Sequence, residues 1–273
     1  TMNCGGGRSP WNTWISCEEW GTRGQVYQVD PTGRRSAEKT VLGGSGGRFE
    51  SFAFDVRNRN APRFFVTEDH ARGALRRFTP TLVNWTDPWN MLHGAGTMEY
   101  LVLQPWSLQQ GRGTYKWVTS LSEARGNAAN YYPDSEGIDV SGNRLFFVCK
   151  KIKQLFTLNL DDFTYSNETS KSGLFDGGPD QMSRIISNSS DILYFTEEGG
   201  RDAGIHGRNE DGNFYTILES PTYIDETTGL AFDPSGKHMY LAYQENGLLF
   251  DVTRRDGLPF YGTTLNVKYH NQG

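Results

Sequence analysis

Acidic side chains recur at matched positions along this chain. Glu50, Glu136, Asp180 and Glu226 each open a short apolar segment. A second polar group closes the segment after it: Cys17 with Glu18 and Glu19, Glu68 with Asp69, Cys149, Glu197 with Glu198, and Gln244 with Glu245. If the opening segments are antiparallel to the closing ones and line a common channel, both sets fall at one mouth. Between four and eight carboxylates would then converge. Carboxylates held that close repel, and burial raises their cost further. A cation resolves the conflict. An oxygen-rich set suits Ca²⁺ or Mg²⁺, whereas a thiolate such as Cys17 favours a softer or transition metal. The competing expectation is a hydrated funnel whose acids bond to turn amides and bind nothing tightly.

The elements that must place these acids are short strands. Helical periodicity is confined to Ser120–Ala129, and the rest is β-type runs bounded by Gly, Asn, Asp and Pro. The segments repeat. Glu50–Asp55, Arg63–Asp69 and Gly73–Phe78 match Glu136–Val140, Arg144–Cys149 and Gln154–Leu158. Further copies begin at Asp180 and Glu226, and a partial one covers Thr13–Glu19 and Gln25–Val29. Cys17 precedes Glu68 by 51 residues; Cys149 precedes Glu197 by 48, and Glu197 precedes Glu245 by 48. The 81-residue gap from Glu68 to Cys149 leaves room for a diverged copy with strands at Met98–Leu103 and Thr114–Thr119. Six units at a period near 45 predict an all-β, six-bladed propeller as a single domain over residues 1–273. Pairing of Thr263–Tyr269 with the first blade is expected to close the ring and remove an open sheet edge.

Composition excludes several classes. The formal net charge is −5, and no Lys/Arg cluster is available for a phosphate backbone, so nucleic acid is not an expected partner. The longest apolar run, Leu145–Cys149, is far short of the ~20 residues of a membrane helix. Three cysteines are too few for a disulfide scaffold. The chain opens at Thr1, as a processed product would. Sequons at Asn84, Asn167 and Asn188 fit a secretory route. An extracytoplasmic address, secreted or in an organelle lumen, is therefore expected. The five histidines lack HxH or HExxH spacing, and His70 reads as a surface histidine. Gly43–Gly47 lacks the Lys-Ser/Thr of a phosphate loop and reads as a blade connector. Trp85, Trp89 and Trp106 read as packing between blades.

The N-terminal run Cys4-Gly-Gly-Gly-Arg-Ser-Pro-Trp-Asn-Thr-Trp-Ile-Ser-Cys-Glu-Glu19 resembles the opening signature of the PhoX-type alkaline phosphatases. The likeness continues through Gly47-Arg-Phe49, Phe65–Asp69, Leu75–Phe78, Ser135-Glu-Gly137, Pro179-Asp180 and Thr228–Gly236. It looks closest to a compact eukaryotic, algal-type branch. The resemblance implies a six-bladed propeller with a central iron–calcium cluster that hydrolyses phosphate monoesters. It implies that Cys17 and Glu18 hold metal, with Glu136, Glu68, Glu197 and Glu226 as further ligands. Two positions depart from the family pattern: Asp134 stands where the bacterial enzymes have an arginine, and Phe52 where they have a glutamate. The chain is also shorter. These departures motivate a second expectation, a catalytically silent propeller serving as a subunit of a larger assembly. A lactonase-like hydrolase is a third.

Overall fold

The computed structural model describes residues 2–107, 111–185, 192–200 and 202–261. The C-terminal segment Thr263–Tyr269 and the sequon at Asn188 lie outside the described residues. In chain order the first strands are β1 (Asn3–Arg8), β2 (Trp14–Gly24), β3 (Val26–Val29), β4 (Glu38–Lys39) and β5 (Gly47–Asp55). Next come β6 (Arg63–Glu68), β7 (Arg76–Pro80), β8 (Gly96–Ser107), β9 (Arg112–Val118) and the helix α1 (Leu121–Tyr131). Then follow β10 (Ser135–Ser141), β11 (Arg144–Cys149), β12 (Gln154–Asn159), β13 (Thr164–Thr169), β14 (Gly178–Ser183) and β15 (Leu193–Glu198). The last are β16 (Gly204–Arg208), β17 (Phe214–Glu219), β18 (Thr227–Phe232), β19 (His238–Tyr243) and β20 (Leu248–Thr253).

The chain divides into two compact units. One holds Thr1–Phe147 and Phe156–Asn167; the other holds Val148–Leu155 and Glu168–Gly273. In the first, strands pair along the path β10-β11-β12-β13-β9-β8-β7-β6-β5-β2-β3-β4, with β1 on β2. Its core gathers Ile15, Cys17, Val26, Phe49, Phe64 and Phe78. In the second, β14–β17 and β18–β20 form two antiparallel meanders around Tyr194, Ile205, Tyr215, Met239 and Leu241.

The diverged sixth copy takes another form. Met98–Leu103 falls in β8 and Thr114–Val118 in β9, a long hairpin whose edges pair with β7 and β13. It joins β7 to β13 within one continuous sheet and makes no separate four-stranded blade among the described residues. The chain spends much of the remaining gap on α1, the one stretch with helical periodicity. Ser120 caps it by accepting the Glu123 amide, and Asn127 ties it to β8 through both Leu103 N and Leu103 O. Of the three tryptophans read as packing, Trp89 is buried, but Trp106 is 63% exposed.

Candidate metal-binding sites

Two meanders, β5–β6 and β14–β15, carry a β-bulge at the acid that opens them. In β5–β6, Phe49 pairs with Glu68 and Phe52 with Val66, so Glu50 and Ser51 together oppose Thr67. In β14–β15, Pro179 pairs with Glu197 and Met182 with Phe195, so Asp180 and Gln181 oppose Thr196. A bulge places two consecutive residues where a regular strand places one, and it turns the local side chains. It also strands an amide. The facing threonine accepts it: Thr67 Oγ1 takes the Ser51 N–H at 3.0 Å, and Thr196 Oγ1 takes the Gln181 N–H at 2.8 Å. Thr67 Oγ1 then donates to the Glu136 carbonyl at 2.5 Å, tying the start of β10 to the bulge beside Glu50. The recurring Thr-Glu pair in Val66-Thr-Glu68 and Phe195-Thr-Glu197 is the sequence signal for this device.

In the first unit, carboxylate oxygens of Glu50 and Glu136 lie within 4.8 Å of each other, and both residues are 1% exposed. Glu50 also groups with Glu19 and the Cys4 thiol inside the same limit. Glycines let β1 reach that position. A Cβ on Gly5 would stand 2.5 Å from the Glu50 carbonyl and 2.9 Å from its Oε1, and one on Gly7 would stand 2.3 Å from the Phe52 carbonyl. In the second unit, Asp180, Glu198 and Glu226 group inside 4.8 Å. Lys150 Nζ sits 2.6 Å from Glu198 Oε2, and Gln244 donates to Glu226 Oε2 at 3.1 Å.

Of the residues expected to bind metal, Glu50 and Glu136 come together in the first unit, and Asp180 and Glu226 in the second. The other four sit elsewhere. Cys17 is fully buried in the apolar core, where burial and then the charge of Glu50 push its thiol well above its ordinary range. Glu18 is buried and accepts the Gln25 amide at the β2–β3 turn. Glu68 lies between two guanidinium groups, 3.7 Å from Arg76 Nη2 and 3.7 Å from Arg125 Nη2. Glu197 accepts the Gly177 and Gly204 amides at 2.6 and 3.0 Å and faces His206 Nε2 at 2.9 Å. The neighbours Glu19 and Glu198 join the acid groups instead. Adjacent strand residues point to opposite faces, so a one-residue choice within Glu-Glu exchanges a core-side anchor for a site-side ligand. Cys4 has no spacing that marks it as a ligand, and the bulge between Asn3 and Gly6 that brings it beside Glu19 has no sequence marker beyond the glycines.

Asp134 has a backbone reason. Its φ is 52°, a left-handed conformation that Asp adopts more readily than most side chains, and its amide donates to the His70 carbonyl at 3.1 Å.

No family model and no curated protein matches the sequence. Solved structures do match the fold. PhoX of Pseudomonas fluorescens, in complex with vanadate as a transition-state analogue, superposes with a TM-score of 0.72 at 13% identity, over 94% of this chain and 70% of that one. A chain of a nidogen/laminin complex gives 0.55 at 11% identity, over 95% and 78%. A putative 6-phosphogluconolactonase from Bacteroides uniformis gives 0.53 at 12% identity, over 97% and 68%. At these identities the likeness defines the fold. The chain is an all-β protein with a PhoX-like, propeller-like fold, and it carries acidic groups able to hold a metal ion.

Proposed function

We propose that this protein is a metal-dependent phosphomonoesterase on a PhoX-like propeller, of the compact algal-type branch, acting outside the cytoplasm. The observation that carries this reading is the pair of buried carboxylates, Glu50 and Glu136, within 4.8 Å of each other. Two such anions in a dry site each raise the cost of the other, and a divalent cation is the direct way to hold both ionised. The donor sets fit. Glu50 with Glu136, and Asp180 with Glu198 and Glu226, are all-oxygen sets suited to Ca²⁺. Cys4, with Glu19 and Glu50, is the thiol in reach of the acids and the residue that suits iron. When bound, the metal polarises a phosphoryl oxygen and lowers the pKa of bound water. The chain's own contribution is placement: Thr67 fixes the spacing of the Glu50 bulge and Glu136, and Gly5 gives Glu50 its room.

A purified sample supplied with Ca²⁺ and iron is expected to hydrolyse p-nitrophenyl phosphate, and Glu136→Gln to abolish turnover while leaving the fold intact. No turnover under any metal condition would reject the enzyme reading. The alternative is a silent propeller that binds partners as a subunit of a larger assembly, in an organelle lumen. Lys150 favours it, because an ammonium 2.6 Å from Glu198 already offsets charge in the second acid group. A third reading, a lactonase-like hydrolase, is separated by an assay on simple lactones.

A further inference from the structure

The first unit contains a cleft of about 610 Å³ that shares no residue with the acid groups. Its lining includes Arg48 of β5, Glu68, His70, Arg72, and Leu121, Ser122 and Arg125 of α1. On a chain of net charge −5 this lining is locally positive: three arginines face one carboxylate.

The arginines are held close to acids but not consumed by them. Arg48 Nη1 is 3.7 Å from Glu19 Oε1, and Arg125 Nη2 is 3.7 Å from Glu68 Oε1. Charge-assisted bonds close to about 2.7–2.9 Å, so these guanidinium groups keep their hydrogen-bond donors. Among the described residues the Arg72 side chain makes no ion pair. Behind the lining, buried Arg76 donates through Nη1 to the Leu42 and Gly43 carbonyls, while its Nε and Nη2 make no hydrogen bond. Glu68 is 3% exposed, and its Oε2 also makes none. Arg76 thus shares Glu68 with Arg125, so the one carboxylate of the lining is divided between two guanidinium groups.

The scaffold is fixed in advance. The loop after β6 is pinned by Asp69 N to Arg48 O, His70 N to Glu68 O and Gly73 N to His70 O, at 2.8, 2.9 and 2.7 Å. A Cβ on Gly73 would stand 2.0 Å from the Glu68 carbonyl, so the turn requires glycine. His70 Nδ1 accepts the Arg72 amide at 3.0 Å, which leaves Nε2 as the donor of the ring. On the opposite wall α1 begins, and its first amides, at Leu121 and Ser122, have no intrahelical acceptor. These amides and the helix dipole favour an anion.

We propose that this cleft binds a small organic ligand carrying two or more oxyanion groups, such as phosphates, and that it does so without metal. The volume far exceeds one oxyanion, and the positive groups come from three separate stretches, β5, the loop after β6 and α1. One anionic group cannot satisfy walls built that way; a ligand with several can. The cleft borders the first acid group through Arg48 and Glu19, but none of the grouped acids lines it, and its binding is scored without metal.

The test is calorimetric titration of the full chain with pyrophosphate, in the presence of a chelator, with Arg72→Ala and Arg125→Gln beside it. Neither substitution removes a buried group from the core. Expected is saturable binding that weakens about tenfold or more in each variant, the loss of one charged hydrogen-bond donor set, and that falls with added salt. Inorganic phosphate is expected to bind more weakly than pyrophosphate. Absence of binding, or binding that neither variant weakens, would overturn the proposal. The chelator separates it from the enzyme reading, which requires metal and is scored by turnover.

Discussion

Thr67→Val tests the bulge mechanism at the point where it is most exposed to failure. Valine keeps the shape of threonine and removes only the hydroxyl. That hydroxyl accepts from Ser51 N at 3.0 Å and donates to the Glu136 carbonyl at 2.5 Å. Thr67 is 0% exposed, Ser51 5% and Glu136 1%, so water cannot replace either bond without opening the sheet. Each stranded group costs roughly 1–3 kcal/mol, which gives a loss of about 3 kcal/mol for the pair. Thr196→Val strands one amide, that of Gln181, and is expected to cost about 1 kcal/mol. Thr67→Ser retains the hydroxyl and should recover most of the loss. The assay is urea unfolding, read as a shift of midpoint at unchanged slope. A Thr67→Val loss below about 0.5 kcal/mol, where a typical net hydrogen bond begins, would refute the claim that this hydroxyl carries the bulge.

Gly5→Ala should destabilise the fold and lower metal affinity, because the new Cβ would meet Glu50 O at 2.5 Å and Oε1 at 2.9 Å; thermal melting and Ca²⁺ titration of the variant check both. Glu197→Gln should lower stability and leave metal content unchanged, since its carboxylate is taken up by Gly177, Gly204 and His206, whereas Glu226→Gln should do the reverse. Partial burial, then Glu197, Asp202 and Asp176, push Glu219 up to about 7 from its ordinary 4.5. Its folded form holds the proton more tightly than the unfolded one, so stability falls as pH rises from about 4.5 to about 7, and Glu219→Gln should flatten that slope in melting curves.

The repeat was legible because strand–turn–strand units need the same turn residues and the same apolar alternation each time. Glu50, Asp180 and Glu226 were legible for the same reason, since each opens a unit. The rest was hidden for physical reasons. Glu18 and Glu197 are buried and take up backbone amides, while their neighbours Glu19 and Glu198 face the other way and join the acid groups. Glu68 holds the same place in its repeat as Glu197, yet Arg76 and Arg125 surround it, and they arrive from another strand and from α1. Cys17 sits on an apolar face that sequence alternation alone did not separate from the polar one. The hairpin β8–β9 kept the strands of a blade and used them to join β7 to β13 in one continuous sheet. The oxyanion cleft had no linear signature, because its arginines are spread from Arg48 to Arg125.

The central claim is that Glu50 and Glu136 are held close by a cation. Elemental mass spectrometry of the protein, dialysed against Ca²⁺ and then against metal-free buffer, measures it directly. The account predicts at least one retained metal ion per chain, lost in Glu136→Gln. A wild-type chain that emerges metal-free while still folded would contradict it.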